Sequence, residues 1–334
     1  MNGAINMDSE SCPLCHHEDS TVLFKSETAN SKFFVIQCRQ CNLARTSPFP
    51  DDDTLHIHNK VQYYGKKKNK FLPIFQNIRD RLSKIRARTY LSMISESIKR
   101  PKILDIGCAE GRLLQSFLAY GCDCYGVEHP SYPQKRFLNP DRIKYFVGNL
   151  DFLDLEERSF DIIILWHVLE HMDNPNNVIS RVYDLLAPDG IFVLAVPNFS
   201  GIEAKIFKQL WFHLDIPWHK YHFTKSSLQY LTEKNHFEII KSTTFCIEQG
   251  VYGLLQSVLN AAGWPKNELY EAMKGNFNYG RTLSLIAQIF IGISILIPCF
   301  LISFLISATE NGSVLKLILI KMTENKSSLN STKK

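Results

Sequence analysis

From Lys102 onward the chain alternates short, β-rich apolar runs with helical stretches, and this alternation constrains its fold more than any other feature. The runs are KILDI (102–106), DCYGVE (123–128), IKYFVG (143–148), FDIIILW (160–166), GIFVLAVPN (190–198), FEIIKSTTF (237–245) and LKLILIKM (315–322). Helical patterns near 111–120, 175–187 and 226–235 separate several of them. Strands that alternate with helices build a largely parallel sheet covered on both faces, so the expected fold is α/β, a doubly wound, mostly parallel sheet of seven strands. With 334 residues, 45% hydrophobic and 21% charged, the chain can bury the core such a fold needs. Ligands of these sheets lie at the carboxyl ends of the strands.

The first of these strands runs into ILDIGCAEGRLL (103–114), where Asp105 is followed by Gly107, Cys108, Ala109 and Gly111. The glycines let the backbone turn tightly while the next helix presents free N–H groups. The next strand ends on Glu128, seventeen residues after Gly111, where a carboxylate can accept two hydrogen bonds from a ribose diol. An adenosine-containing cofactor is therefore expected. A dinucleotide's pyrophosphate would press against the backbone at position 109, and the methyl of Ala109 points instead to a cofactor without phosphate.

Nine cysteines accompany an amino terminus, MNGAINMDSES, that has no basic stretch leading into an apolar run, so a reducing, cytoplasmic compartment is expected and disulfides are not. Cys12 and Cys15, then Cys38 and Cys41, form two CxxC pairs with 22 residues between them, the spacing of a zinc ribbon. Four protein thiolates leave no position for substrate, so this zinc is structural. His16 and His17 could substitute for a ligand, but an exposed pair is the expected reading. Cys108, Cys122, Cys124, Cys246 and Cys299 lie in or beside apolar segments and read as packing residues.

Between Lys66 and Lys102 the chain carries a net charge of +10, twice that of the whole protein at +5. Ile74, Ile78, Leu82 and Ile85 recur at helical spacing, which predicts an amphipathic helix over most of 73–98 with a basic exposed face. Such a face is either simply solvated or suited to anionic lipid or nucleic acid.

DIGCAEG, the acid at Glu128, and FDIIILWHVLEHMDNP (160–175) followed by LLAPDGIFVLAVPN (185–198) resemble the class I S-adenosylmethionine-dependent methyltransferases. The resemblance covers about residues 100–245 and the last strand, with alanine replacing the middle glycine of the family's first motif. It implies a Rossmann-like fold and S-adenosyl-L-methionine as cofactor. By the same analogy Asp105 ends the first strand, Gly107, Cys108 and Gly111 line the methionine end, Asn149 and Leu150 meet the adenine, and Trp166 with His167 closes over the sulfonium. Asn149 stands where the family often has aspartate. With the ribbon in front and HLDIPWHKYHFT (213–224) behind, the chain is similar to zinc-binding methyltransferases that act on small molecules and glycans.

The sulfonium already activates the methyl group, so the enzyme must align a nucleophile and, for a hydroxyl, remove its proton. Histidine is the side chain most easily poised for this. His171 is the expected base, with His167 and His222 as further catalytic candidates and Glu170 and His219 as substrate-facing alternatives. A structural role for each histidine stays open, as does catalysis by positioning alone.

The run TLSLIAQIFIGISILIPCFLISFLISAT (282–309) carries no charge and is long enough to span a bilayer. If 237–245 and 315–322 are neighbouring strands, the segment between them must leave and return on one side, and Pro298 offers a bend. A helical hairpin dipping into one leaflet is therefore expected, against a buried helix pair capping the sheet. Together with the basic helix it suggests a protein peripheral or monotopic at the inner membrane face, methylating the oxygen of a small-molecule, glycan or lipid-linked acceptor. A zinc-ribbon RNA methyltransferase and a non-catalytic cofactor- or membrane-binding scaffold are the alternatives. Nucleic acid is disfavoured because WHVLEH replaces the Asn-Pro-Pro-aromatic turn of many base-methylating enzymes. The expected organisation is a zinc ribbon (1–50), a basic linker and helix (51–100), a cofactor-binding methyltransferase domain (101–247 with 312–324), an apolar helical insertion (248–311) and a disordered tail (325–334).

Overall fold

The computed structural model describes residues 11–27, 32–50 and 73–322; the first part of the basic linker, 51–72, and the tail expected at 325–334 lie outside the described residues. The strands are β1 (Ser20–Glu27), β2 (Lys32–Cys38), β3 (Ala44–Ser47), β4 (Lys102–Ile106), β5 (Asp123–Glu128), β6 (Ile143–Val147), β7 (Phe160–Trp166), β8 (Leu186–Pro197), β9 (Tyr221–His222), β10 (Phe237–Thr243) and β11 (Val314–Lys321). The helices are α1 (Pro73–Leu91), α2 (Arg112–Leu118), α3 (Pro175–Leu185), α4 (Ile202–Phe207), α5 (Lys225–Lys234), α6 (Tyr252–Ala261), α7 (Glu268–Met273) and α8 (Thr282–Ala308).

The large sheet has the order β10-β11-β8-β7-β4-β5-β6. Its pairs are parallel from β8 to β6, while β11 runs antiparallel to both neighbours. All seven predicted runs are strands of this one sheet. The chain winds outward from β4 to β6 and then restarts at β7 on the other side, so the crevice where ligands gather opens between the carboxyl ends of β4 and β7. Alternate side chains explain the apolar strands. Leu104, Ile106, Ile163, Leu165, Phe192 and Leu194 pack on one face with α3 and α5, whereas Ile103, Ile162, Ile164 and Val193 pack on the other with α1 and α2.

The small antiparallel sheet β1-β2-β3-β9 takes its last strand from the segment between β8 and β10. The ribbon is thereby built onto the larger domain. Cys12, Leu14, Cys38, Cys41 and Leu43 share one core with Tyr221, Phe223, Leu228 and Leu231. Lys234 Nζ donates to the Leu14 carbonyl at 2.9 Å and Thr224 Oγ1 to that of Asn42 at 3.2 Å, so both cysteine turns are tied to α5.

Two expectations need correction. Helix α1 ends at Leu91, and its buried face is not the predicted isoleucine stripe: Ile78 and Ile85 are 51% and 60% exposed, while Ser83, Ala87 and Tyr90 are buried. Helix α1 docks through Ala87 and Tyr90 in the core and through ion pairs around them. Arg79 lies 3.8 Å from Glu110, Arg86 pairs with Glu248, and Asp80 pairs with Arg112.

The apolar insertion is not a hairpin bent at Pro298 either. Helix α8 runs unbroken for 27 residues with Pro298 inside it, and the short helices α6 and α7 form the outgoing leg. Both ends of α8 are anchored: Ser284 Oγ donates to Glu268 at 2.7 Å, and Thr244 Oγ1 donates to the Ser307 carbonyl at 3.2 Å. Only Gln288, Gly292, Cys299 and Ser303 on α8 are buried, a stripe facing α6 and α7. The rest of its surface is apolar and exposed, including Leu283 (84%), Ile297 (71%), Phe290 (69%) and Ile293 (66%).

Candidate active site

The turn after β4 is held by the strand beside it. Gly107 and Cys108 both donate their N–H to the Val127 carbonyl, at 2.8 and 3.2 Å, and Ala109 N–H donates to Glu128 Oε2 at 2.6 Å. Glu128 Oε1 accepts the His129 N–H at 2.9 Å, which fixes the carboxylate at the end of β5. Ala109 adopts a φ of 49°, a left-handed conformation that costs a non-glycine residue on the order of 1 kcal/mol and that the bond to Glu128 offsets. Asp105 is buried below the turn, and its carboxyl is pushed up to about 8 by that burial, with the Glu128 charge adding to the effect. Burial likewise keeps the Cys108 thiol protonated, reinforced by the charges of Asp105 and Glu128.

Gly111 has a φ of 82°, and a Cβ there would stand 1.9 Å from the hydroxyl oxygen of Tyr145. That hydroxyl is within hydrogen-bonding distance of the Leu138 carbonyl at 2.8 Å and that of Glu110 at 3.1 Å, and the Tyr145 ring stacks on Phe137 at 4.0 Å. The third strand thus supports the turn from below, a role of Tyr145 that no motif announces. Gly111→Ala must displace this tyrosine as well as strain the backbone, a penalty of about 1–3 kcal/mol. The variant is expected to bind S-adenosylhomocysteine at least tenfold more weakly by calorimetric titration; unchanged affinity would mean that this turn does not hold the cofactor.

Across the crevice, β7 ends at Trp166 and passes into WHVLEH. Arg86 of α1 lies over the Trp166 ring at 4.2 Å from its centroid, so α1 covers this end of the sheet. A Cβ on Gly107 would stand 2.3 Å from a Val168 methyl, which places Val168, the residue after His167, directly against the glycine turn. His167 has a φ of 54°, and its Nδ1 lies 3.3 Å from Glu170 Oε1. Glu170 is 1% exposed.

His171 and His219 join this group, with ring centroids 4.7 Å apart and His171 Nδ1 2.8 Å from the Trp218 carbonyl. Burial and the neighbouring His171 and His222 push the His219 imidazole well below its ordinary value. His222 lies apart. It is buried in β9, its Nε2 is 3.1 Å from Thr46 Oγ1, and burial pushes its imidazole down to about 3. That contact joins β9 to the ribbon strand β3, and it sets His222 in the seam between the two sheets. Asn149 is exposed, and its side chain accepts the Asp151 N–H at 3.1 Å, capping a short turn, while Leu150 is buried in the main core.

In the ribbon, Cys12 and Cys41 Sγ atoms are 3.5 Å apart, as are those of Cys15 and Cys38, and all four lie within 4.8 Å of one another. The residues that follow the two pairs, His16 and Asn42, have φ of 59° and 60°, so both pairs close through the same type of turn. Tetrahedral zinc–thiolate bonds of about 2.3 Å require sulfur separations of about 3.8 Å, which these cysteines match.

The model of the methyltransferase domain family matches residues 74–242, half of the chain. The ubiquinone biosynthesis O-methyltransferase of Pasteurella multocida is 28% identical over 143 residues, covering 38% of this chain and 57% of that protein. The enzyme of the same name from Rhodopseudomonas palustris is 33% identical over 103 residues, 29% of this chain and 40% of that protein. The chain thus spans about half the length of the curated relatives it matches. Among solved structures, phosphoethanolamine N-methyltransferase 2 of Haemonchus contortus, bound to S-adenosylhomocysteine, superposes with a TM-score of 0.51 at 14% identity, over 90% of this chain and 71% of that one. Together with the sheet order and the glycine turn, these matches assign the fold and the family: the chain belongs to the class I S-adenosylmethionine-dependent methyltransferases.

Proposed function

We propose that the protein transfers the methyl group of S-adenosylmethionine to the oxygen of a small-molecule, glycan or lipid-linked acceptor at a membrane surface. The observation that carries this reading is the contact between Val168 and Gly107, which sets the His167–Glu170 pair against the turn expected to hold the cofactor. Glu128 then receives the ribose hydroxyls and Gly107 to Gly111 the methionine end, with Trp166 beside the sulfonium. His167 is favoured over His171 as the base. Its Nδ1 is oriented by a carboxylate, and its buried Nε2 has no partner among the described residues, the arrangement of a base with an orienting group. His171 instead directs Nδ1 at a backbone carbonyl. The name of the two ubiquinone biosynthesis relatives, O-methyltransferase, supports oxygen as the acceptor atom.

The acceptor hydroxyl gives its proton to His167, its oxygen attacks the methyl carbon in line with the breaking C–S bond, and S-adenosylhomocysteine leaves as a neutral thioether. Methyl-labelled S-adenosylmethionine with catechol and a total lipid extract tests this directly. Label should reach an acceptor, and His167→Asn should slow transfer by about 10²–10⁴-fold with cofactor affinity within about twofold. An undiminished rate in the variant would remove His167 from the reaction.

The four cysteines are assigned to a structural zinc ion that holds together the two turns of the ribbon, which in turn are bonded to Lys234 and Thr224. The exposed apolar surface of α8 is assigned to a bilayer, and α1 adds exposed Ile78 and Ile85 beside exposed Arg81, Lys84 and Arg88. A helix apolar around most of its circumference offers nothing to a phosphate backbone, which favours a lipid surface over RNA.

A further inference from the structure

We infer that Glu170, His171 and His219 form a second metal site, for a divalent transition-metal cation held by nitrogen and oxygen. The inference deepens the methyl-transfer reading and rests on it for the site's role, though not for its existence. One ligand atom from each of the three residues lies within 4.8 Å of the others. Glu170 is 1% and His219 7% exposed, so these are interior groups rather than surface neighbours. Buried polar atoms normally find partners, because leaving one without costs about 1–3 kcal/mol, more for a charged group. Yet Glu170 Oε2 and His219 Nδ1 have none among the described residues. A cation between them would satisfy both.

The surroundings of His171 and Glu170 are already set as metal ligands require. A ligating histidine directs its other ring nitrogen to a carbonyl or carboxylate, which fixes the tautomer. His171 Nδ1 lies 2.8 Å from the Trp218 carbonyl, so this nitrogen carries the proton and Nε2 is the ligating atom. For His219 the buried Nδ1, which has no partner among the described residues, is the atom left for the cation, while Nε2 lies 4.0 Å from the Asp215 carboxylate, an ion-pair distance rather than a hydrogen bond. Glu170 Oε1 is engaged by His167 at 3.3 Å, which leaves Oε2.

The two loops that supply the ligands are clamped together. Lys220 N–H donates to the Glu170 carbonyl at 2.9 Å, Tyr221 hydroxyl to that of Asp173 at 2.8 Å, and the Lys220 ammonium pairs with Asp173. Two imidazoles and one carboxylate suit zinc or ferrous iron, and three protein ligands leave a position open for an exogenous oxygen. An acceptor hydroxyl bound there is acidified by the cation and loses its proton to His167, next to the methyl donor.

The test counts metal in the full-length protein. After loading with Zn2+ and removal of excess, mass spectrometry should find about two ions per chain in the wild type and about one in His219→Ala and in the isosteric Glu170→Gln. Loaded with Co2+, the wild type should show both the intense near-ultraviolet band of thiolate ligation and weaker visible bands from the second ion. His219→Ala should keep the former and lose the latter. S-adenosylhomocysteine titration of the same samples reports whether the variants are folded. One ion per chain in the wild type, with only the thiolate signature and no change in His219→Ala, overturns the inference. Two ions without cofactor binding would uphold the site and overturn the methyl-transfer reading.

Discussion

Cys41→Ser is expected to strip the zinc and lower the melting temperature of the entire protein by at least about 10 °C, rather than unfold a detached module. Structural zinc contributes roughly 10–16 kcal/mol in small peptides, comparable with the total of about 5–15 kcal/mol that holds a typical domain together. In a free ribbon that loss would stay local. Here Cys41 lies in one core with Leu228, Leu231 and Phe237, and the ribbon strand β3 pairs with β9 inside the domain. Disordering β3 exposes the seam at His222 and Thr46 and removes the partners of Thr224 and Lys234 on α5. Thermal unfolding followed by circular dichroism, with zinc content measured alongside, checks this. Full zinc content and an unchanged melting temperature in Cys41→Ser would show that the four sulfurs are not a metal site.

The second large effect concerns α8. Replacing Phe290, Ile293, Ile297 and Phe304 with glutamate should abolish flotation of the protein with vesicles that contain anionic lipid. These side chains are 69%, 66%, 71% and 53% exposed, so the changes touch little of the interior. Each is worth about 1.5–3 kcal/mol when buried in an apolar phase, and four together exceed a 10⁴-fold change in partition before the cost of the added charges. A 27-residue helix is about 40 Å long, but its two ends are anchored to the same body, which favours immersion along one leaflet over a crossing. S-adenosylhomocysteine affinity should stay unchanged in the variant. Wild-type protein that remains entirely soluble beside such vesicles would contradict the assignment.

What the sequence made legible follows from which interactions are local. The seven strands are visible because burial on both faces leaves runs such as FDIIILW, and the glycine turn because only glycine tolerates the φ of 82° at position 111 above Tyr145. Helix α1 and its exposed basic residues follow from the sequence, but its rotation does not: Ile78 and Ile85 are exposed because Ala87 and Tyr90 reach the core and Arg79 and Arg86 pair with the distant Glu110 and Glu248. The bend expected at Pro298 is absent because the outgoing leg is carried by α6 and α7, where Gln256, Ser257 and Asn260 interrupt the apolar Leu254, Leu255 and Leu259 and break continuity with the run of α8. Within WHVLEH, spacing alone could not separate His167 from His171. The distinction lies in Glu170 and in the Trp218 carbonyl, 47 residues further along the chain from His171. Placing His222 required the pairing of β9 with β3, which joins segments more than 170 residues apart.

The measurement that tests the central claim most directly is calorimetric titration of the zinc-loaded protein with S-adenosylhomocysteine and with NAD, using the wild type and Glu128→Ala. Glu128 holds the Ala109 amide at 2.6 Å and is positioned for the ribose, so its loss removes charged hydrogen bonds worth about 1.5–3 kcal/mol each. The account predicts micromolar affinity for S-adenosylhomocysteine, at least about 100-fold weaker in Glu128→Ala, and no heat with NAD. Binding of NAD in preference, or S-adenosylhomocysteine affinity indifferent to Glu128, would contradict it.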